Sequence, residues 1–478
     1  MDTNTTTEPN GRQGGAPSGT TRRRRAYVET YGCQMNIADG ELMEGVLEGH
    51  GYQIVEGPEE ADVILVNTCA IRENAEERVL GRIGQLSGLR RERPWLVLGV
   101  TGCMAQRMGD SLLEGVSAVD LVMGPDGYRR LGKALEEVVP RRGGRSRRRE
   151  KRLSVLDLSL DENYRGLEQR RRSGVTAWVP VQRGCNHRCT FCIVPYVRGP
   201  EKNREPDDVI AEIRGLADDG ITEVTLLGQT VNSYRHGDWS FARLLEAVAR
   251  VDGIRRVRFT SPHPVDVTED LVEVMATEPT VCEQFHLPLQ SGSNAVLKRM
   301  VRRYTKEVFR EKVSMLRTGI PDIALSTDVI AAFPGETDDD FEETISFLSE
   351  IRFDEAFTYR YSVRPGTPAT RLPPEMFIEE EVARERLSRL IGATRFVQAE
   401  INQGEVGRVE EILVERMAKS AGMVLGRTRR NKAVVVSGDG GDIGSYLTVR
   451  LVDTTGATFI AKRLGDETRA HAPPSPKA

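Results

Sequence analysis

No apolar run in the chain approaches the roughly 20 residues needed to cross a bilayer, so a membrane protein of the helical kind is excluded. The opening stretch, MDTNTTTEPNGRQGGAPSGT, lacks the apolar core of a secretory signal, and a cytoplasmic protein is expected. Cysteine is scarce. Seven in 478 residues is an odd number and too few for a disulfide scaffold. A strong net charge is missing as well. Lys and Arg number 67 against 71 Asp and Glu, and the resulting −4 gives no global reason to expect a nucleic-acid partner. Wholesale disorder is excluded, because 39% hydrophobic residues suffice for real cores. The length fits roughly two to four domains.

What is present is unevenly placed. Residues 141–152, RRGGRSRRREKR, hold eight basic residues against one Glu. The cysteines fall into two groups of three, Cys33, Cys69, Cys103 and Cys185, Cys189, Cys192, with Cys282 left over as a lone buried thiol. In a reducing compartment clustered cysteines point to metal or redox chemistry.

An α/β fold in three parts is expected. Residues 1–25 read as a disordered tail. From 26 to 140, AYVETYGC, DVILVNTC and WLVLGVTGC are strand-like apolar runs alternating with helical pieces, which argues for a parallel sheet. A cysteine follows each of the three strands, at the sheet edge where open α/β sheets bind ligands. Residues 141–174 read as a basic linker containing an amphipathic piece, RLSVLDLSL. Between 175 and 400 six strands are expected: TAWVPVQ, EVTLLG, RVRFT, EQFHLP, ALSTDVIAAF and AFTYRYSV. Six βα units make a partial (βα)6 barrel, and the motif-like segments GCNHRCTFC, GQTVNSY, SPHP, LQSGS, FPGET and RPGTP all fall at its active face. One helix is expected over 375–402, and 401–465 reads as a small antiparallel β-barrel of the kind that binds nucleic acid. Residues 466–478 form a polar tail.

Cys185-x3-Cys189-x2-Cys192 is the most specific signal. Three soft thiolates within eight residues can hold three irons of a four-iron cluster and leave the fourth iron open. Zinc wants four ligands, and His187, the one candidate fourth, lies awkwardly inside the same loop. For Cys33, Cys69 and Cys103 a second cluster stands against three buried thiols.

With that spacing after the first strand of a partial barrel, the sequence resembles the radical S-adenosylmethionine (SAM) enzymes. TYGCQMN, VNTCAIRENAE and TGCMAQR further resemble the N-terminal domain of the methylthiotransferases, and the C-terminal barrel with MVLGRTRRNKAVVV looks like a TRAM RNA-binding module. The resemblance spans about 27–464 and implies two 4Fe-4S clusters, one on each cysteine trio, plus SAM. It implies a SAM-derived 5′-deoxyadenosyl radical and methylthio transfer to a nucleoside of tRNA. CQMN, LLGQTVNSY and HLPLQSGSNAVLKRM resemble the branch acting at C2 of N6-dimethylallyl-adenosine beside the anticodon. The branch acting on threonylcarbamoyl-adenosine is the alternative, and a non-catalytic iron–sulfur RNA-binding protein is the alternative from another class. Partners would be the tRNA anticodon loop, a flavodoxin- or ferredoxin-type electron donor, and iron–sulfur assembly or sulfur-supply proteins.

Remaining candidates are single residues. Phe191 before the third cysteine matches the family, though a packed aromatic there is as natural a reading. Gln229 and Gln290, just past the second and fourth strands, could hydrogen-bond SAM. His263 and His286 are equally structural or functional candidates. Arg427, Arg429, Arg430 and Lys432 could touch tRNA phosphates. Three positions depart from the family pattern: Thr230 where Asn is expected, Ala332 for Gly, and Val363 for Pro.

Overall fold

The computed structural model describes residues 23–70, 75–139, 151–167, 169–171 and 174–465. Residues 1–22 of the expected N-terminal tail, the whole expected C-terminal tail and residues 141–150 of the basic run lie outside them, and Arg25, the last residue of the expected N-terminal tail, already belongs to a strand. Among the described residues no helix is long and apolar enough to cross a membrane.

The N-terminal part is a six-stranded parallel sheet covered on both faces. Its strands are β1 (Arg25–Thr30), β2 (Gln53–Ile54), β3 (Val63–Thr68), β4 (Val97–Gly102), β5 (Leu121–Met123) and β6 (Leu153–Val155), in the order β2-β1-β3-β4-β5-β6. All side chains of β3 and β4 are buried, which is why VILVNT and VLGVTG read as unbroken runs. Helices α1 (Gln34–Gly49), α2 (Ala75–Gly88), α3 (Cys103–Met108), α4 (Asp110–Gly115) and α5 (Leu131–Val138) divide between two cores. Leu42, Leu65 and Leu135 pack on one face, and Ile64, Ile83 and Leu98 on the other.

The expected linker is partly a strand. Leu121 to Met123 pair in parallel with Leu153 to Val155, and the Tyr164 hydroxyl donates to Pro125 O at 2.5 Å. The three-residue β6 therefore completes the first sheet, and the polypeptide leaves this domain only after it.

The central part has the six expected parallel strands: β7 (Thr176–Pro180), β10 (Glu223–Leu227), β13 (Arg256–Phe259), β14 (Gln284–His286), β15 (Ala324–Ala331) and β16 (Glu355–Arg360). Two short pairs lie between them, β8 (Gln182–Arg183) with β9 (Lys202–Asn203) and β11 (Arg235–His236) with β12 (Trp239–Ser240). The six strands form two three-stranded sheets, β7-β10-β13 and β14-β15-β16, joined by one bridge between Val257 and Val281. The barrel is thus open between β7 and β16. Helices α7 (Pro206–Asp218), α8 (Phe241–Ala249), α9 (Glu269–Thr277), α11 (Lys306–Gly319) and α12 (Asp338–Ile351) cover it, sealing a core that includes Val224, Phe285, Phe309 and Phe347. Short helices α6 (Val194–Arg198) and α10 (Asn294–Arg299) sit on its loops. The following helix, α13 (Glu380–Glu405), starts later than expected, because Pro373 and Pro374 hold the preceding chain extended or in a 3-10 turn.

The C-terminal part is a closed five-stranded barrel, β17 (Val409–Met417), β18 (Met423–Thr428), β19 (Ala433–Ser437), β21 (Thr458–Arg463) and β20 (Tyr446–Thr454) in spatial order. One contact departs from the antiparallel expectation: β19 and β21 run parallel and close the barrel. This module docks under the barrel's strand N-termini. Arg256 and Arg258 of β13 donate to the carbonyls of Arg427, Thr428 and Arg429.

Candidate active site

Strand register gathers the first cysteine trio. Thr30 pairs with Asn67 and Thr68 with Gly102, so β1, β3 and β4 end together and their next residues meet at one edge. Cys33 caps α1, Cys69 follows β3 and Cys103 opens α3. The Cys33 and Cys69 thiols are hydrogen-bonded, which together with Arg198 draws Cys33 down to about 6. Cys103 is pushed up by burial. Asn36 of the CQMN segment acts as a brace. It accepts from the Cys33 thiol at 3.3 Å and donates to Thr68 O at 2.9 Å. The glycines before two of these cysteines are required. Gly32 and Gly102 have φ of 132° and 90°, and a Cβ on Gly102 would sit 2.5 Å from Thr68 O.

The second trio is held by a loop pinned at both ends. Antiparallel pairing of β8 with β9 closes the segment carrying Cys185, Cys189, Cys192 and α6. Gly184, at φ 75°, lets the chain pass so close to Pro200 that a Cβ would meet its carbonyl at 2.0 Å. Thr190 donates from its backbone to Met300 O at 3.0 Å and accepts from Ala369 N. Burial raises Cys185, and raises Cys192 to about 12, with neighbouring cysteine charge adding to both. Three thiols that repel each other as anions suit a cationic, soft partner. The Arg302 guanidinium, donating to Cys189 Sγ at 3.2 Å, supplies part of that charge. Thr230 stands 3.9 Å from Cys185 Sγ and donates its N–H to Gln182, so its hydroxyl faces the trio where Asn was expected.

The cysteine loop also rests on histidines. His187 and His263 stack with centroids 3.8 Å apart and planes 10° from parallel. Burial, then Arg302, drives His263 down to about 2, so it is neutral. Asn232 clamps its backbone from both sides. Asp266 joins the pair 3.6 Å from His187. Parallel rings send their in-plane lone pairs side by side, so this group reads as a brace. His286 is satisfied by Ser326 at 3.0 Å and Asp328 at 3.1 Å.

The other expected residues are placed as follows. Phe191 packs edge-on against Phe333, with centroids 6.5 Å apart. Gln229 carries a buried amide oxygen with no partner among the described residues. Gln290 is held at φ 69° by hydrogen bonds with Asp328 and Ile330. Ala332 likewise has φ 59°, which is why Gly is expected there. Ala332 and Val363 both line a cavity of about 410 Å³ with Arg360, Tyr361 and Phe377. Cys282 is buried, as expected.

The basic cluster of the small barrel is paired within the protein. Arg429 pairs with Glu283 at 2.8 Å, Arg430 with Glu405 and Glu410 at 2.7 Å, and Lys432 with Asp354 at 2.6 Å. Arg430 and Lys432 are less than 10% exposed. These pairs join the module to the barrel and α13. Arg427 pairs with Glu415 and keeps 37% exposure.

Sequence reading missed the joint between the two trios. Ile193 and Val197 pack on Ala70 and Cys103. Asp39 of α1, fully buried, binds Arg183 at 2.5 Å and Arg198 at 2.7 Å. Burial opposes its ionisation, yet the two arginines hold its carboxyl below the usual range. Lys202–Asp126 and Arg171–Glu41 are further buried or half-buried pairs across the same boundary. The available signal was an acid on an apolar helix face and an arginine directly after VPYV.

These three modules define an enzyme of the radical SAM class with an added N-terminal sheet. Residues 179–348 match the Radical SAM superfamily, 25–124 match the Uncharacterized protein family UPF0004, and 403–462 match the TRAM domain. A tRNA-2-methylthio-N(6)-dimethylallyladenosine synthase of Chloroherpeton thalassium is 41% identical over 93% of this chain and 97% of its own. One from Carboxydothermus hydrogenoformans is 43% identical over 89% and 96%. The chain belongs to the tRNA-2-methylthio-N(6)-dimethylallyladenosine synthase family. Among solved structures, the radical SAM methyltransferase TsrM of Kitasatospora setae aligns with a TM-score of 0.54 at 15% identity, over 72% of this chain and 75% of that one, a likeness of fold.

Proposed function

We propose that this chain adds a methylthio group at C2 of N6-dimethylallyl-adenosine beside the anticodon of tRNA. The observation that carries the reading is the pairing of two three-cysteine sites across one dry joint. The C2–H bond is neither acidic nor polarised, so general-base catalysis is a poor route and a radical is the physical alternative. When bound, one 4Fe-4S cluster supplies the electron that cleaves SAM and the other supplies the sulfur that is methylated and transferred.

The protein's own contribution is placement. Cys185, Cys189 and Cys192 hold the SAM-cleaving cluster, and Cys33, Cys69 and Cys103 hold the sulfur-bearing one. Three ligands on each leave one position open, which a fully ligated cluster lacks. Gln229, with its unpartnered amide oxygen, is a hydrogen-bond acceptor for SAM, and Phe191 and Gln290 shape the same pocket. On β14 to β16, Leu325 and Val329 face the helices, so His286, Asp328, Phe357 and Tyr359 face the barrel interior. The rings of Phe357 and Tyr359, 42% and 51% exposed, offer surfaces on which an unstacked loop base can lie. Extruding such a base from a loop costs less than the few kcal/mol needed in a duplex.

The TRAM module and the segment 141–150 contribute tRNA contacts, with Arg427 the exposed member of the expected set. A flavodoxin- or ferredoxin-type donor supplies electrons, iron–sulfur assembly or sulfur-supply proteins replenish the clusters, and the enzyme works in the cytoplasm. The test is anaerobic reconstitution of the full chain with reductant, SAM and hypomodified tRNA. About eight irons per chain, 5′-deoxyadenosine and the 2-methylthio nucleoside are expected. Zinc without iron, or methylthiolation only of threonylcarbamoyl-adenosine, would overturn the proposal.

A further inference from the structure

One buried side chain belongs to both halves of the site. Arg198 lies on α6, six residues past Cys192, and is 4% exposed. Its Nε–H donates to Cys103 Sγ at 3.2 Å, and its Nη2 donates to Asp39 Oδ2 at 2.7 Å. Asp39 lies on α1, six residues past Cys33, and its second oxygen accepts from Arg183. Two guanidinium groups and one carboxylate leave one positive charge in a dry interface. A buried surplus cation is expensive unless an anion joins it. Cys103 sulfur is the acceptor in reach, and it carries negative charge once it ligates a cluster. A second observation points the same way: Arg198 Nη1 is buried with no partner among the described residues. That N–H awaits an acceptor that the polypeptide alone does not provide, and a sulfur of a bound cluster is one.

We propose that Arg198 is a positioning residue for the N-terminal cluster, setting its reduction potential by hydrogen bonding at Cys103 and clamping it against the radical-generating site through Asp39. The inference rests on the two-cluster reading given above. A reduced cluster carries one more negative charge than an oxidised one. A buried cation and an N–H donor at its sulfur stabilise the reduced form, so they raise its potential.

The test is a redox titration of the reconstituted full-length enzyme followed by EPR. It compares the native chain with Arg198→Met, Arg198→Lys and Arg183→Met. The N-terminal signal is assigned in a Cys189→Ala background. Arg198→Met is expected to move the N-terminal midpoint to a more negative potential and leave the barrel cluster's in place. Arg198→Lys, which keeps the charge without the fork, falls between. Arg183→Met weakens the same Asp39 joint and removes a buried charge, but its guanidinium meets Asp39 and the Tyr164 ring instead of a sulfur, so the N-terminal midpoint moves in the same direction by clearly less than in Arg198→Met and the barrel cluster's stays in place. Unchanged N-terminal potential in a two-cluster Arg198→Met enzyme would overturn the proposal. So would an equal shift in Arg183→Met, which would mark a purely structural joint. Should Arg198→Met fail to fold, Arg198→Lys against Arg183→Met decides by the same criterion. A native chain that binds a single cluster would instead remove the two-cluster reading, a distinct result.

Discussion

Thr68 and Gly102 face each other as register partners at the ends of adjacent parallel strands, and the next residue of each is a cysteine. That single register makes Cys69 and Cys103 neighbours although 34 residues separate them in sequence. A one-residue slip would send all later side chains of β4 to the opposite face. The first thiol site is therefore a property of the sheet rather than of a loop.

Gly102→Ala should damage this site specifically. Its φ of 90° and ψ of −159° lie where only glycine is comfortable, and a Cβ would strike Thr68 O at 2.5 Å. Backbone strain alone is worth about 1–3 kcal/mol. The expected result is a lower unfolding midpoint by that amount or more. Iron content should fall to about half, with SAM cleavage largely kept.

Ala332→Gly should do the opposite. Ala332 holds φ 59° while its N–H donates to Glu336 Oε2 at 2.7 Å. Relief of the left-handed strain outweighs glycine's greater unfolded-state entropy, for a net gain of up to about 1 kcal/mol. Denaturant unfolding of the apo chain measures it. A loss of stability would mean that the methyl group's packing beside the 410 Å³ cavity matters more than its backbone.

The buried neutral His263 makes stability acid-sensitive. Its folded value is depressed to about 2, against about 6.5 when unfolded. Below pH 6.5 the unfolded chain binds a proton that the folded chain refuses, so this stabilisation is complete above 6.5 and is lost as pH falls. The slope from one such group approaches about 1.4 kcal/mol per pH unit. His263→Gln should flatten the decline of stability between pH 6.5 and 5 by that amount, read from urea midpoints. An unchanged slope would mean that other groups dominate the acid limb.

Most of the fold was legible because parallel strands covered on both faces must be apolar throughout. β3 and β4 carry that mark in full, and β1 and the barrel strands carry it on the face that meets the helices. The cysteines were legible for a related reason, since each of the first three follows such a strand. β2, β5 and β6 have only two or three residues each, too few to show a period, and β6 was absorbed into a presumed linker. The ion pairs were illegible because charge in sequence carries no burial label. Nothing in the local sequence of Asp39 and Arg198 marks them as partners, and nothing around Arg430 and Lys432 announces the carboxylates from distant segments that pair with them.

Lys432 gives a direct test of whether this cluster is structural or meets RNA. Its ammonium is bound by Asp354 and Asn402, and breaking such a buried pair costs on the order of 3 kcal/mol. A phosphate contact would instead contribute about 0.7–0.9 to the slope of log affinity against log salt. Lys432→Met should therefore lower the unfolding midpoint and leave the salt slope of tRNA binding unaltered. A slope reduced by about one, with stability intact, would place Lys432 in the RNA interface.

The two thiol sites should separate in function. Cys189 receives the Arg302 hydrogen bond within the barrel loop, whereas Cys69 lies against Cys33 at the sheet edge. Cys189→Ala removes a ligand from the SAM-cleaving trio, so 5′-deoxyadenosine formation should cease, and methylthiolation with it. Cys69→Ala leaves that trio whole, so cleavage should persist while the methylthio product disappears. Because Ile193 and Val197 pack on Cys103, some loss of cleavage in Cys69→Ala is expected from coupling through the joint. Equal, complete loss of both activities in both variants, with folding intact by circular dichroism, would mean that the trios act as one centre and not as two with separate tasks.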